Sequence, residues 1–163
     1  MKKTNAIRIL EVNNIPFQLF NYEFKIEEID AISVARKIEA EVESVFKTLV
    51  TRTSNNEYFV FVIPGNETLN LKKAANTSGT KNIEMIKEKE LLPLTGYVKG
   101  GCSPIGLKKM FPIFIDETAQ LFDEIYISAG MRGTQIKLNP NELKKLVKAE
   151  FVDLVWKFKL SRK

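Results

Sequence analysis

The chain has 163 residues, 44% hydrophobic and 28% charged, with a net charge of +5, values that suit one domain over 1–163 with its own core. It contains one cysteine and no histidine, which excludes an internal disulfide, Ser-His-Asp or Cys-His machinery and a histidine-built zinc site within the chain. The basic start MKKTNAIRIL has no sustained apolar run or cleavage site, and no window approaches the roughly 18 apolar residues of a membrane span.

Thr4 is placed to cap a first helix carrying Ala6, Ile7 and Leu10, with Asn13 and Asn14 ending it and Pro16 barring its continuation. In residues 17–24, FQLFNYEF, the residues Phe20, Tyr22 and Phe24 alternate with polar neighbours, which predicts a strand. Asp30 opens DAISVARKIEAE, an amphipathic helix. Residues 45–63, VFKTLVTRTSNNEYFVFVI, read as a hairpin turning at Ser54-Asn55-Asn56, and its second run is apolar on both faces, as a central strand is.

TLNLKKAANTSG predicts a helix closed near Gly79, and NIEMIKEKELL another, stopped by Pro93. FPIFID (111–116), EIYISAG (124–130) and TQIKL predict three short strands. Asn139 as N-cap, Pro140 at the first helical position and Glu142 reaching back open a terminal helix drawn as NELKKLVKAEFVDLV. The sum is a mixed α/β domain with a largely non-local sheet.

Three places carry candidate chemistry. Lys47 lies in VFKTLV between Val45 and Leu49 on one face of an apolar strand. A lysine there either snorkels to a rim or meets an anion. In GYVKGGCSPIGLKK (96–109), Gly100, Gly101 and Gly106 permit positive φ and close backbone approach. They either turn the chain or build a nest of N–H groups for an anion or oxyanion. In ISAGMRG, Arg132 stands between Gly130 and Gly133, suited to a phosphate or to a plain surface. Cys102 has no histidine to act as its base and reads as a small packed thiol. The lysine excess favours anionic partners, nucleic acid among them, or serves solubility.

The order VFKTLV, LNLKKAA, GYVKGGCSPIGLKK, FPIFID, ISAGMRG, then a polar strand and a terminal helix, resembles the YbaK/EbsC family of aminoacyl-tRNA deacylases, related to the editing insertion of bacterial prolyl-tRNA synthetases. The resemblance runs nearly end to end. It implies a mixed, largely antiparallel curved sheet or barrel-like core flanked by helices, and hydrolysis of Cys-tRNA(Pro) in the cytoplasm. The implied partners are the 3′-terminal aminoacyl-adenosine of tRNA(Pro) and prolyl-tRNA synthetase, with no membrane, metal or cofactor.

By the same resemblance, Lys47 holds the terminal nucleotide and orients the ester. The backbone of Gly100 and Gly101 faces the scissile carbonyl, with Ser103 and Pro104 shaping the turn. Tyr22 matches a pocket tyrosine, and Gly130 and Arg132 belong to the substrate-binding set. Many members carry an aspartate where this chain has Gln135, so no carboxylate is carried over there. In these deacylases the substrate's own cysteine thiol attacks its ester, which suits a chain without histidine. Another mischarged tRNA such as Ala-tRNA(Pro), or a non-catalytic module that binds tRNA ends or a synthetase, stand as alternatives.

Overall fold

The computed structural model describes residues 3–156; positions 1–2 and 157–163, including both ends of the expected domain span, lie outside the described residues. Helix α1 (Asn5–Val12) starts where Thr4 accepts the Ile7 N–H, and α2 (Ala31–Lys37) starts where Asp30 accepts the Ser33 N–H. Helix α3 (Leu71–Ser78) is capped by Asn70 and closed by Gly79 at φ +73°. Helix α5 (Pro140–Val147) is capped by Asn139, whose side chain accepts from the Asn141 and Glu142 N–H groups. These are the sites that short polar caps and a left-handed glycine dictate.

Two sheets form. One is antiparallel, ordered β1 (Gln18–Asn21), β7 (Thr134–Leu138), β6 (Ile125–Ser128). The other is ordered β4 (Glu84–Met85), β2 (Phe46–Arg52), β3 (Tyr58–Pro64), β5 (Ile113–Asp116), β8 (Glu150–Val152). In the second sheet β3–β5 and β5–β8 are parallel while β2–β3 and β2–β4 are antiparallel. Strand β3 is central, as its two apolar faces require.

The expected mixed α/β architecture is present, but the sheets do not close into a barrel. They meet at one isolated parallel bridge, Val45 to Tyr126. Ile115, Ile125, Ile127, Ile136, Leu138 and Leu143 are wholly buried between the layers, each contributing about 1.5–3 kcal/mol by burial.

Four expectations change. The first strand stops at Asn21: Tyr22 still gives its N–H to Gly133 O at 2.9 Å, but Gly133 takes φ +90° and its partner strand begins only at Thr134. The helix expected over 82–92 begins later: Glu84 and Met85 pair with Arg52 and Thr51, and α4 runs Glu88–Thr95 with Pro93 inside it. Its start is fixed by Glu90, whose carboxylate accepts the Lys87 N–H at 2.8 Å, and Pro93 falls in the last turn, just before the helix closes at Gly96. The terminal helix ends at Val147 because Lys148 adopts φ +55°, and Glu150–Val152 extends as β8. Glu142 receives the cap from Asn139 rather than returning one to it.

Candidate active site

Strand β2 leaves a stretch of its edge uncovered. At one end Val45 bridges to Tyr126; at the other, β4 pairs only with Thr51 and Arg52. Between them Lys47, Thr48 and Leu49 line a groove of about 820 Å³. Its far walls are Ile26, Glu27 and residues 29–32 ahead of and within α2, residues 85–88 with Leu91, and Lys99, Gly100 and Cys102 of the glycine loop with Arg132. Lys47 therefore neither snorkels freely nor sits sealed in the core. It is half-buried on an open strand edge, which explains a cation inside an apolar run.

The Lys47 ammonium donates to the Gly65 carbonyl at 3.2 Å. Burial lowers its pKa from 10.5, and the carboxylate of Glu67 partly opposes that shift. A smaller recess of about 90 Å³ opens beside it, walled by Ala31, Val34, Val45 and Phe46. Its polar lining is Lys47, Thr48, Ser128 and Gln135 with the Cys102 thiol, and Gly100 stands at the rim. Gln135 is only 5% exposed and its Oε1 has no hydrogen-bond partner among the described residues. An orphaned buried amide oxygen costs about 1–3 kcal/mol, so it marks a place where a donor is wanted.

The glycine loop is a packed object. Arg132 Nε donates to Lys99 O at 2.8 Å, and Tyr97 Oη to Ile105 O at 2.6 Å. Asn5 Nδ2 donates to Gly106 O at 3.0 Å, and Thr4 Oγ1 to Ala129 O at 2.5 Å, so α1 fastens both glycine loops. Gly100 takes φ +82° and brings its backbone to the groove.

Gly101 differs from the expectation. Its φ is not positive; its N–H is already given to Val98 O at 2.9 Å, and a Cβ there would stand 3.1 Å from the Met131–Arg132 backbone. It is a close-packing glycine whose N–H is not available to an oxyanion. Of the other expected site residues, Lys47, Gly100 and Arg132 line one groove. Ser103 is fully buried, its Oγ accepting the Ile105 N–H at 3.2 Å, and Pro104 is buried beside it; both hold the turn and neither lines the groove. Gly130 at φ +98° fits against Tyr97 and Thr4. Tyr22 lines a separate surface depression with Glu28 and Lys37 and packs against the cluster that contains Val34 and Val45; it lines neither the groove nor the recess.

Cys102 is buried, and burial pushes its thiol up to about 12. It is a neutral wall of the recess. The residues that the sequence reading left unassigned are Gly65 and the α2 wall of Ala31 and Val34. Their only sequence signal is the Pro64-Gly65 break after an apolar strand.

Among the described residues no three His, Cys, Asp or Glu side chains gather to hold a metal, and no helix is long and apolar enough to cross a membrane. Residues 27–146 match the aminoacyl-tRNA editing domain. EbsC of Enterococcus faecalis, provisionally named a Cys-tRNA(Pro)/Cys-tRNA(Cys) deacylase, is 42% identical over 96% of this chain and 95% of its own. A proline–tRNA ligase of Lactococcus lactis subsp. cremoris is 32% identical over 72% of this chain and 18% of the ligase. A crystal structure described as a candidate trans-editing enzyme for prolyl-tRNA synthetase superposes with a TM-score of 0.82 at 24% identity, over 96% of this chain and 100% of that one.

Proposed function

From the premise that this chain belongs to the aminoacyl-tRNA editing domain family, we propose that it is a free-standing deacylase that clears Cys-tRNA(Pro). The observation that carries the reading is the half-buried Lys47 ammonium at the mouth of a small recess on an open strand edge. A cation in that place suits the terminal nucleotide of a tRNA, and a recess of about 90 Å³ suits a small aminoacyl side chain.

The roles follow from the lining. Lys47 donates to the ester and ribose oxygens of the terminal adenosine. Gly100, the loop glycine that lines the groove, brings backbone toward the carbonyl. Gln135 offers its unpaired Oε1 to the substrate's α-ammonium. Ala31, Val34 and Val45 limit the size of the side chain. Ser103, Pro104, Gly101 and Gly130 serve by packing, and we place Tyr22 outside the recess.

The nucleophile is the substrate's own thiol. Its sulfur attacks the ester carbonyl carbon, the C–S bond forms and the C–O bond to the ribose breaks. The thiol proton ends on the departing ribose oxygen, and water then opens the cyclic thioester. The protein supplies position and charge and no nucleophile of its own. We assign the choice of tRNA(Pro) to the acceptor end together with a complex formed with prolyl-tRNA synthetase in the cytoplasm.

The test is a panel of mischarged tRNAs incubated with purified protein, following release of each amino acid. Preferential release of cysteine from Cys-tRNA(Pro) is expected. Preferential release of alanine would move the substrate to Ala-tRNA(Pro), and tight binding of tRNA ends without release would make the chain a binding module.

A further inference from the structure

Lys47 reaches its place through a second residue, Gly65. The Gly65 carbonyl accepts from the Lys47 ammonium at 3.2 Å, and the Gly65 N–H donates to Val45 O at 2.7 Å. One residue is thus fastened both to the lysine and to the strand two positions before it. Gly65 is buried and its φ is not left-handed, so backbone freedom does not demand a glycine here. Space does. A Cβ at Gly65 would overlap the Ala31 Cβ in the first turn of α2 and stand 2.9 Å from Val45 O. The missing side chain lets the turn after β3 press against α2, and that contact brings the carbonyl up to the ammonium.

The kind of acceptor matters. An ammonium has three donors and no acceptor. A carbonyl engages one of them without neutralising the charge. Among the described residues no carboxylate lies within ion-pair distance of Lys47; Glu67 acts on it only from farther away. Two donors are left for a ligand, and no fixed anion competes for them.

We propose that Gly65 is the positioning residue of Lys47: its carbonyl, set by the close approach to Ala31 and the bond to Val45, aims the ammonium into the groove with two donors free for substrate oxygens. The proposal rests on the deacylase reading of this groove.

Two measurements test it. The first needs no substrate and no Gly65 variant. In ¹³C-labelled protein the Gly65 carbonyl resonance should move upfield when Lys47 is replaced (Lys47→Met), because an accepted hydrogen bond is lost. An unmoved resonance overturns the proposal. The second is the affinity for an amide-linked, unhydrolysable cysteinyl analogue of the 3′-terminal adenosine, measured in wild type, Gly65→Ala, Lys47→Met and the double variant. Gly65→Ala should weaken binding about tenfold or more when Lys47 is present, as expected for a bond to a charged group, and weaken it far less in the Lys47→Met background. Equal losses in both backgrounds make Gly65 a purely structural residue and overturn the proposal. A wild type that does not bind the analogue brings down the deacylase reading instead, while the carbonyl resonance still decides whether Gly65 holds Lys47.

Discussion

Arg132 Nε donates to the Lys99 carbonyl across 2.8 Å, so the loop after β6 holds the glycine loop by a side chain. Arginine between two glycines reads in the sequence as a phosphate binder. In the structure its first duty is to fix the segment that carries Gly100 into the groove. Arg132→Ala should lower kcat about tenfold or more, since hydrogen bonds from charged groups are worth about 1.5–3 kcal/mol. The salt dependence of tRNA affinity separates the two roles. A lost phosphate contact flattens the slope by ~0.7 to ~0.9, whereas a lost loop anchor leaves it unchanged, which is the expected outcome.

Lys47→Ala should lose most deacylation and keep the fold, because an apolar strand edge gains nothing from a half-buried cation. Burial lowers the Lys47 pKa from 10.5, so the ammonium discharges at a lower pH than a free lysine does. Affinity for the unhydrolysable analogue should therefore begin to fall below pH 10.5 as pH rises. In Lys47→Ala this alkaline fall should be absent.

Cys102→Ala should retain activity within a few-fold, and the thiol should resist alkylation at neutral pH. Burial pushes Cys102 from 9.0 to about 12, and Tyr97 from 10.0 to about 12. Both are raised, so each contributes stability that is whole below its unfolded value and is lost as pH climbs to about 12. Unfolding midpoints should drop between pH 9 and 12, and Cys102→Ala should soften that drop. By contrast, Gly101→Val should abolish activity, because its side chain would drive into the Met131–Arg132 backbone.

Asp116 is a structural carboxylate. It is fully buried, accepts the Leu154 N–H at 2.9 Å and receives both the N–H and the hydroxyl of Thr118. Asp116→Ala should cost about 2–4 kcal/mol, since several donors lose their partner at once. Urea unfolding reads this directly.

Much of this fold is legible in short polar signals. Thr4, Asp30, Asn139 and Gly79 mark helix ends because capping chemistry is local. The errors lie where tertiary contacts override local preference. Pro93 reads as a stop, yet α4 runs through it. Nothing near Ala149 announces that the chain leaves a helix to pair in parallel with β5, because that strand exists only through its partner. The site divides the same way. Lys47 stands out as a cation in an apolar run, and Gly100 as a left-handed glycine. Gly65 shows in the sequence only as the break after Pro64, since its reason is a methyl group, that of Ala31, on a helix far along the chain. Gly101 looks like a turn glycine and proves to be a packing one.

The most direct test of the account is the release of amino acid from a matched pair of substrates by wild type and Cys102→Ser. Ser-tRNA(Pro) presents a hydroxyl where Cys-tRNA(Pro) presents a far more ionised and more nucleophilic thiol. The account predicts that both proteins cleave Cys-tRNA(Pro) at similar rates and Ser-tRNA(Pro) much more slowly. A folded Cys102→Ser that is inactive, beside a wild type that cleaves both substrates equally, would contradict it and give the nucleophile to the protein.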